Sequence, residues 1–276
     1  VGGHSVGRVT DDANTTDPLP DDPADGAFPE SVAAGYDGPG GANAAEVVGP
    51  VVDLLAELAD GGPVLELAVG TGRIAAPLAA RGLRVGGIEL SRAMARRVAD
   101  KPGGAAVGVT LGDMTTTRFD AFDDVAPGDF ALAYLVFNTI SNVTTQNGQV
   151  DVFRNAAAHL RPGGLFLIEV GVPDLRRLPP GQDTVPYAVT PDGQGGGYVG
   201  FDRYDVATQL FTSNHVTVAP DGTGRFWTVP FRYAWPAEMD LMARIAGLRL
   251  RHRWSDWDRA PFDADSVQHV SVWEKA

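Results

Sequence analysis

Val64-Leu-Glu66-Leu-Ala68-Val-Gly70-Thr-Gly72-Arg-Ile74 reads as a buried strand that runs into a glycine turn and then a helix. Val, Leu, Leu and Val make the strand apolar enough for the middle of a parallel sheet, and Gly70 and Gly72 let the backbone turn sharply against a ligand. The following helix is predicted to start near Arg73 and to stop at Gly82. Next comes Leu83-Arg-Val-Gly-Gly-Ile-Glu89-Leu-Ser91, a second strand with a carboxylate at its tip. Strand, G-x-G turn, helix and strand-end acid describe the first half of a nucleotide-binding doubly wound α/β fold.

Glu66 narrows the ligand. A carboxylate inside an apolar strand costs several kcal/mol of desolvation unless something pairs with it. A dinucleotide would bring a pyrophosphate to the helix N-terminus, where a further negative charge repels it. S-adenosylmethionine brings an ammonium and a sulfonium, and either answers the carboxylate. The competing structural account pairs Glu66 with backbone N–H groups or a buried arginine.

Further strand ends extend the pattern. Glu89 follows Gly70 by nineteen residues, close to the roughly twenty expected for an acid that accepts both ribose hydroxyls. Ser91 supplies the next N-cap. A third strand, Ala106 to Leu111, leads to Gly112-Asp113-Met114, where Asp113 can accept the adenine amine and Met114 can offer its backbone N–H and thioether to the base. The fourth strand, Asp129 to Val136, ends in Phe137-Asn138-Thr-Ile-Ser-Asn142. Ligands of doubly wound sheets bind outside the carboxyl ends of the strands, so Tyr134, Asn138 and Asn142 are expected near the reacting group. A helix from Thr144 stops at Arg161-Pro-Gly-Gly164, and the fifth strand, Leu165 to Val170, carries Glu169 near its end. Glu169 is a substrate ligand, a base, or a solvated strand-end acid, with the last preferred.

Residues 1–30 carry seven acids against Arg8 alone and are expected to form a disordered acidic tail ahead of a domain spanning 31–276; His4 belongs to that tail. Tyr36 sits in a glycine-rich stretch where it either closes over the ligand or simply packs, and a helix from Ala44 to Ala59 follows. Residues 171–234 are expected to form an inserted loop and a small antiparallel lobe or lid: a long proline- and glycine-rich loop to about 197, then alternating stretches Tyr198–Val218 and Gly224–Tyr233 joined by Ala219-Pro-Asp-Gly222. His215 lies on this lobe and is the candidate general base, ahead of His159 and His252. Phe226, Trp227, Phe231, Tyr233 and Trp235 form either an apolar wall for an organic acceptor or the lobe's own core. A helix with Leu241, Met242, Ile245 and Leu248 on one face, then strands Leu248–Trp254 and Gln268–Trp273, finish the chain.

Composition excludes several classes. A formal charge of −13 with two lysines, Lys101 and Lys275, opposes binding to nucleic acid phosphates or an anionic membrane surface. With no cysteine there are no disulfides, thiolate metal sites or cysteine nucleophile. No apolar run approaches the ~20 residues of a membrane span, and none reads as a secretion signal, so a cytoplasmic location is expected. The partner left is a small molecule; nothing in the sequence fixes the oligomeric state.

With these elements placed, the chain resembles the class I S-adenosylmethionine-dependent methyltransferase family over roughly residues 36–276. The resemblance rests on Glu66-Leu-Ala-Val-Gly70-Thr-Gly72, Glu89, Gly112-Asp113-Met114 and Leu160-Arg-Pro-Gly-Gly164. Ala68 stands where the family often has a glycine, a variant similar to that of small-molecule members, including bacterial sugar-amine N-methyltransferases of secondary metabolism. The resemblance implies a seven-stranded, mostly parallel sheet of order 3-2-1-4-5-7-6, the last strand antiparallel, with strands inserted after the fifth. It also implies S-adenosyl-L-methionine held by Tyr36, Glu66, Ala68, Gly70, Gly72, Glu89, Leu90, Met94, Gly112, Asp113, Met114 and Leu135, with no metal. The expected activity is methyl transfer to N or O of a small metabolite, with His215, Tyr134, Asn138 and Tyr233 as acceptor contacts. A non-catalytic cofactor-binding protein and a nicotinamide oxidoreductase, the latter because Gly70 to Ala75 also fits G-x-G-x-x-A, are the competing classes.

Overall fold

The computed structural model describes residues 25–26, 28–37 and 44–276. Its centre is β1 (Val64–Leu67), buried at all four positions and flanked in parallel by β2 (Val85–Glu89) and β4 (Phe130–Leu135). With β3 (Gly108–Leu111), β5 (Leu160–Gly171), β10 (Leu248–Trp254) and β11 (Gln268–Lys275) these form a seven-stranded sheet of order β10-β11-β5-β4-β1-β2-β3. β11 runs antiparallel between β5 and β10. This is the expected order, with the last strand of the chain reversed and inserted beside β5. Parallel neighbours need crossovers, and α2 (Ala45–Ala59), α3 (Ala75–Ala80), α4 (Arg92–Ala95), α5 (Gln146–His159) and α6 (Pro236–Ile245) supply the covering layers. A four-residue helix, α1 (Glu30–Ala33), precedes them.

One face of the sheet packs on α5 and α6 through Phe153, Phe166 and Trp273, whose rings meet edge-on or tilted at 5.2–6.2 Å. The other packs on α2 and α3 through Val51, Leu55, Ile74 and Leu78. α3 starts at Ala75, two residues later than the glycine turn predicts, which leaves Arg73 in the turn itself.

The insertion is a separate four-stranded antiparallel sheet, β6 (Thr184–Pro191), β7 (Gly197–Asp205), β8 (Leu210–Val218) and β9 (Gly224–Arg232), in chain order. Two expectations are corrected here. β6 lies inside the stretch read as loop; Pro186 and Pro191 masked it, because proline is tolerated on an edge strand, where one side of the backbone needs no partner. The stretch Tyr198–Val218 is two strands, split by a turn that ends at Gln209 with φ 59°.

Residues 1–24 of the expected tail lie outside the described residues. Its last residues are packed: the Arg92 N–H donates to Asp25 Oδ1 at 2.6 Å, and Arg97 pairs with Glu30 at 2.5 Å. The packed chain therefore begins before residue 31, because those two acids have partners on and beside α4. Among the described residues no helix is long and apolar enough to cross a membrane.

One polar node docks the small sheet. Arg232, 4% exposed at the end of β9, donates to Gln149 of α5 at 2.5 Å, to Glu238 of α6 at 2.6 Å and to Gln209 at 3.1 Å. Gln149 returns a bond to the Arg232 carbonyl at 3.1 Å. Removing the guanidinium takes the cation from Glu238, which keeps Gln146 and Gln209 as donors, and leaves the Oε1 of the fully buried Gln149 without its donor. Arg232→Ala is therefore expected to lower stability by about 3–5 kcal/mol, read as a shift of the urea midpoint with circular dichroism.

Candidate cofactor and acceptor site

Glu66 is 5% exposed and sits in register between Gly87 of β2 and Tyr134 of β4. Tyr134 donates its hydroxyl to Glu66 Oε2 at 2.8 Å, and the Ala75 N–H donates as well. These bonds and the nearby Arg73 guanidinium do not offset burial, which pushes the Glu66 carboxyl up to about 8. Burial therefore favours the neutral, protonated form of this carboxyl.

Past β1 the backbone turns through Ala68 (φ 56°) and Gly70 (φ 58°). Left-handed geometry costs an alanine roughly 1–2 kcal/mol, which gives a physical reason for the glycine common at that position. The turn brings Gly70 N–H to Glu89 Oε2 at 2.7 Å, while Ser91 N–H takes Oε1 at 2.9 Å. Burial still holds the Glu89 carboxyl above its usual range. Ser91 caps α4 by accepting from Met94 N–H, as expected.

A cleft of about 410 Å³ opens at these strand ends, lined by Tyr36, Ala68, Gly70, Glu89, Leu90, Met94, Gly112, Asp113 and Met114. All nine are predicted cofactor contacts. Asp113 is oriented by Thr115, whose N–H and hydroxyl both reach Oδ1, at 2.8 and 2.7 Å. A second void of about 40 Å³ adjoins the cleft, with Tyr36, Ala68, Gly70 and Thr139 lining both; it adds Glu66, Arg73 and Phe137. A carboxyl and a guanidinium thus meet at one void beside a nucleoside-sized cleft. This donor set fits a nucleoside that carries a zwitterionic amino-acid tail, the chemistry of S-adenosylmethionine.

Of the other two predicted contacts, Gly72 (φ 80°) shapes the turn against Val98 and Leu135 is fully buried; neither lines the cleft or the void. None of the four expected acceptor contacts does either. Tyr134 is fully buried behind Glu66 as its hydrogen-bond donor. Asn138 turns its Oδ1 to the Gly171 N–H at 2.6 Å. Tyr233, 6% exposed, packs near Tyr204 and Trp235 at the foot of the small sheet. His215 stacks on Trp227 with centroids 4.8 Å apart and meets Tyr198 Oη through Nδ1 at 2.7 Å; burial lowers its pKa. Glu169, read as solvated, is 5% exposed and accepts from Phe137 N–H at 2.6 Å.

Sequence reasoning missed Arg73 and Phe28. Arg73 lies over the Phe137 ring at 3.7 Å; its signal was its place directly after the G-x-G turn, hidden by assigning it to the helix. Phe28, which lines the cleft and meets Tyr36 edge-on at 6.0 Å, fell inside the presumed tail. The segment holding both rings is pinned by Ser91 Oγ to the Phe28 carbonyl at 2.7 Å and by Asp37, which accepts from Thr71 at 2.8 Å and pairs with Lys101 at 2.5 Å.

Comparison with known proteins agrees with this geometry. The methyltransferase-domain family matches residues 64–164. The CcbJ methyltransferase from Streptomyces caelestis is 32% identical, with a TM-score of 0.75 over 89% of this chain and 96% of that one. A cypemycin N-terminal methyltransferase from a Streptomyces species is 28% identical over 78% of this chain and 84% of its own length. CalS10, an amino pentose methyltransferase from Micromonospora echinaspora solved with S-adenosylmethionine bound, shares the fold at 19% identity, with a TM-score of 0.63 over 88% of this chain and 95% of that one.

Because the Glu66 carboxyl titrates near 8 when folded and near the ordinary 4.5 when unfolded, the folded state binds the extra proton. Its contribution to stability is full below about pH 4.5 and is lost as pH rises toward 8. Glu66→Gln removes this titration while keeping an acceptor for Tyr134. The ligand-free variant is therefore expected to gain melting temperature relative to the parent between pH 5.5 and pH 8, measured by differential scanning fluorimetry in matched buffers.

Proposed function

Since this chain belongs to the S-adenosylmethionine-dependent methyltransferase family, we propose that it methylates N or O of a small organic metabolite, with an amine nitrogen as the first choice. The observation that carries the orientation of the cofactor is the Glu66–Arg73 pair at one void: Glu66 takes the ammonium and Arg73 the carboxylate. Glu89 takes the ribose hydroxyls and Asp113 the adenine amine, beneath Phe28, Tyr36 and Met94. Bound S-adenosylmethionine supplies a methyl group already activated by its sulfonium.

The chain's own work is then to hold, orient and dry the reactants. Tyr36 spans the cleft and the smaller void, so it stands at the junction of the nucleoside and amino-acid ends. The small sheet, within the insertion of residues 171–234 and held at Arg232, packs through β9 against the Thr139–Asn142 turn, which lines the cleft, and is the proposed acceptor side. An amine is favoured over an alcohol because it needs no base once neutral, and the imidazole of His215 and the phenol of Tyr134 are engaged by Tyr198 and Glu66. The amino groups in the names of the cypemycin and amino pentose enzymes support the same choice.

Incubating the full chain with S-adenosylmethionine and a panel of amines and alcohols is expected to yield S-adenosylhomocysteine and a product heavier by one methyl group on an amine, read by mass spectrometry. Turnover on alcohols alone would remove the nitrogen assignment.

An ammonium that ionises Glu66 must displace its proton. Calorimetric titration with S-adenosylhomocysteine at pH 7, in two buffers of different ionisation enthalpy, is expected to show net proton release. Glu66→Gln is expected to abolish that release and weaken binding roughly tenfold or more; unchanged affinity would sink the assignment of Glu66 to the ammonium.

A further inference from the structure

The carboxyl end of β4 departs from ordinary backbone geometry at two consecutive non-glycine residues. Phe137 has φ 58° and Asn138 has φ 60°, a region that costs each of them free energy unless neighbours hold it. The neighbours come from β5. Glu169 Oε2 accepts from Phe137 N–H at 2.6 Å, the Glu169 carbonyl accepts from Asn138 N–H at 3.4 Å, and Asn138 Oδ1 accepts from Gly171 N–H at 2.6 Å.

This clamp has a definite output. It fixes the peptide from which the Phe137 side chain springs, and the Phe137 ring carries the Arg73 guanidinium 3.7 Å from its centroid. That distance is well inside the ~6 Å range of a cation–π contact. Arg73 has no ion pair among the described residues. Its nearby carboxyls are Glu66 and Glu169, both buried, and its placement rests on rings: Phe137 closely and Tyr36 at 6.0 Å. Phe137, Arg73 and Glu66 line the same void of about 40 Å³.

We propose that Glu169 is a positioning residue for the cofactor's amino-acid end: through Phe137 N–H it holds the β4 turn in the conformation that seats the Phe137 ring under Arg73. Glu169 itself touches neither cofactor nor acceptor in this role. It acts at the amino-acid end only if that end lies at Glu66 and Arg73, as proposed above. The groups that face the carboxyl from other elements are Phe137 N–H, Arg73 and Asp256; Asp256, beyond β10, repels it and Arg73 attracts it. A solvated strand-end acid would have no such surroundings.

The role separates two ligands that share a nucleoside. S-adenosylhomocysteine has the amino-acid tail, and methylthioadenosine lacks it. In the full-length protein, Glu169→Ala is expected to weaken S-adenosylhomocysteine about tenfold and to leave methylthioadenosine within about twofold, both measured by calorimetry. Glu169→Gln keeps an oxygen for Phe137 N–H and is expected to restore most of the loss. Phe137→Leu keeps the backbone bond but removes the ring, and is expected to show the same selective loss even if Glu169→Ala does not fold. Equal weakening of both ligands, or no weakening, in whichever of these two variants folds would overturn the proposal. Glu66→Gln is the control: if it also fails to discriminate between the ligands, the cofactor orientation is wrong; if it discriminates and the other two do not, only the role of Glu169 is wrong.

Discussion

A carboxyl group buried in the central strand sets the terms for the rest of the site. Glu66 is enclosed by β2 and β4; Tyr134 of β4 gives it a phenol and Ala75 of α3 a backbone N–H, and no salt-bridge partner lies within bonding distance. Two hydrogen bonds satisfy lone pairs without neutralising a charge, so burial wins and the group keeps its proton. An apolar residue there would make a more stable sheet. The void that Glu66 shares with Arg73 sets a carboxyl beside a guanidinium, and on the cofactor orientation proposed above the acid is retained because a cation arrives there.

The cleft at the strand ends was legible because its signals are local. Glu66, Glu89 and Asp113 each stand at or near the end of an apolar strand, and strand ends of a parallel sheet converge on one edge whatever the details of packing. Nine of the predicted contacts line one cleft for that reason. On the acceptor side only Asn142 of the strand-end residues expected near the reacting group lines the cleft. Tyr134, Asn138, His215 and Tyr233 are candidates by what their side chains can do, and reactivity does not say where a side chain points. Tyr134 stands beside Glu66 across β1 and β4, so its hydroxyl is consumed locally; knowing that the two strands pair in that register would have shown it. His215 is consumed by Tyr198 and Trp227 in a sheet whose edge strand was itself concealed by prolines.

The amino-terminal segment shows the opposite failure. Its acidity and its prolines suggest a solvated tail, and averaged over the segment that is what composition says. Particular acids nevertheless have particular partners: Asp25 on the first turn of α4, Glu30 on Arg97, Asp37 on Lys101 and Thr71. Together they draw Phe28 and Tyr36 over the cleft that the strand ends leave open. At Asp25, Glu30 and Asp37, charge that looks like a solubility device in sequence serves as an anchor in space. Averages over thirty residues cannot register this, because the information is in which acid faces which donor.

Strain is distributed in the same pattern. Six described non-glycine residues have positive φ, and three of them, Ala68, Phe137 and Asn138, follow β1, which carries Glu66, and its neighbour β4. At Ala68 and Phe137 the chain leaves the sheet abruptly and borders the cavities, while Asn138 ties the second of these turns to β5. A glycine would relieve the conformational cost but remove the side chain, and at Phe137 the side chain is the support for Arg73. The fold tolerates the cost there because β5 holds the turn through Glu169 and Gly171. The buried carboxyl at Glu66 and the bent backbone at Phe137 are therefore two parts of one arrangement: each costs the ligand-free fold free energy, and both border the one void that also holds Arg73.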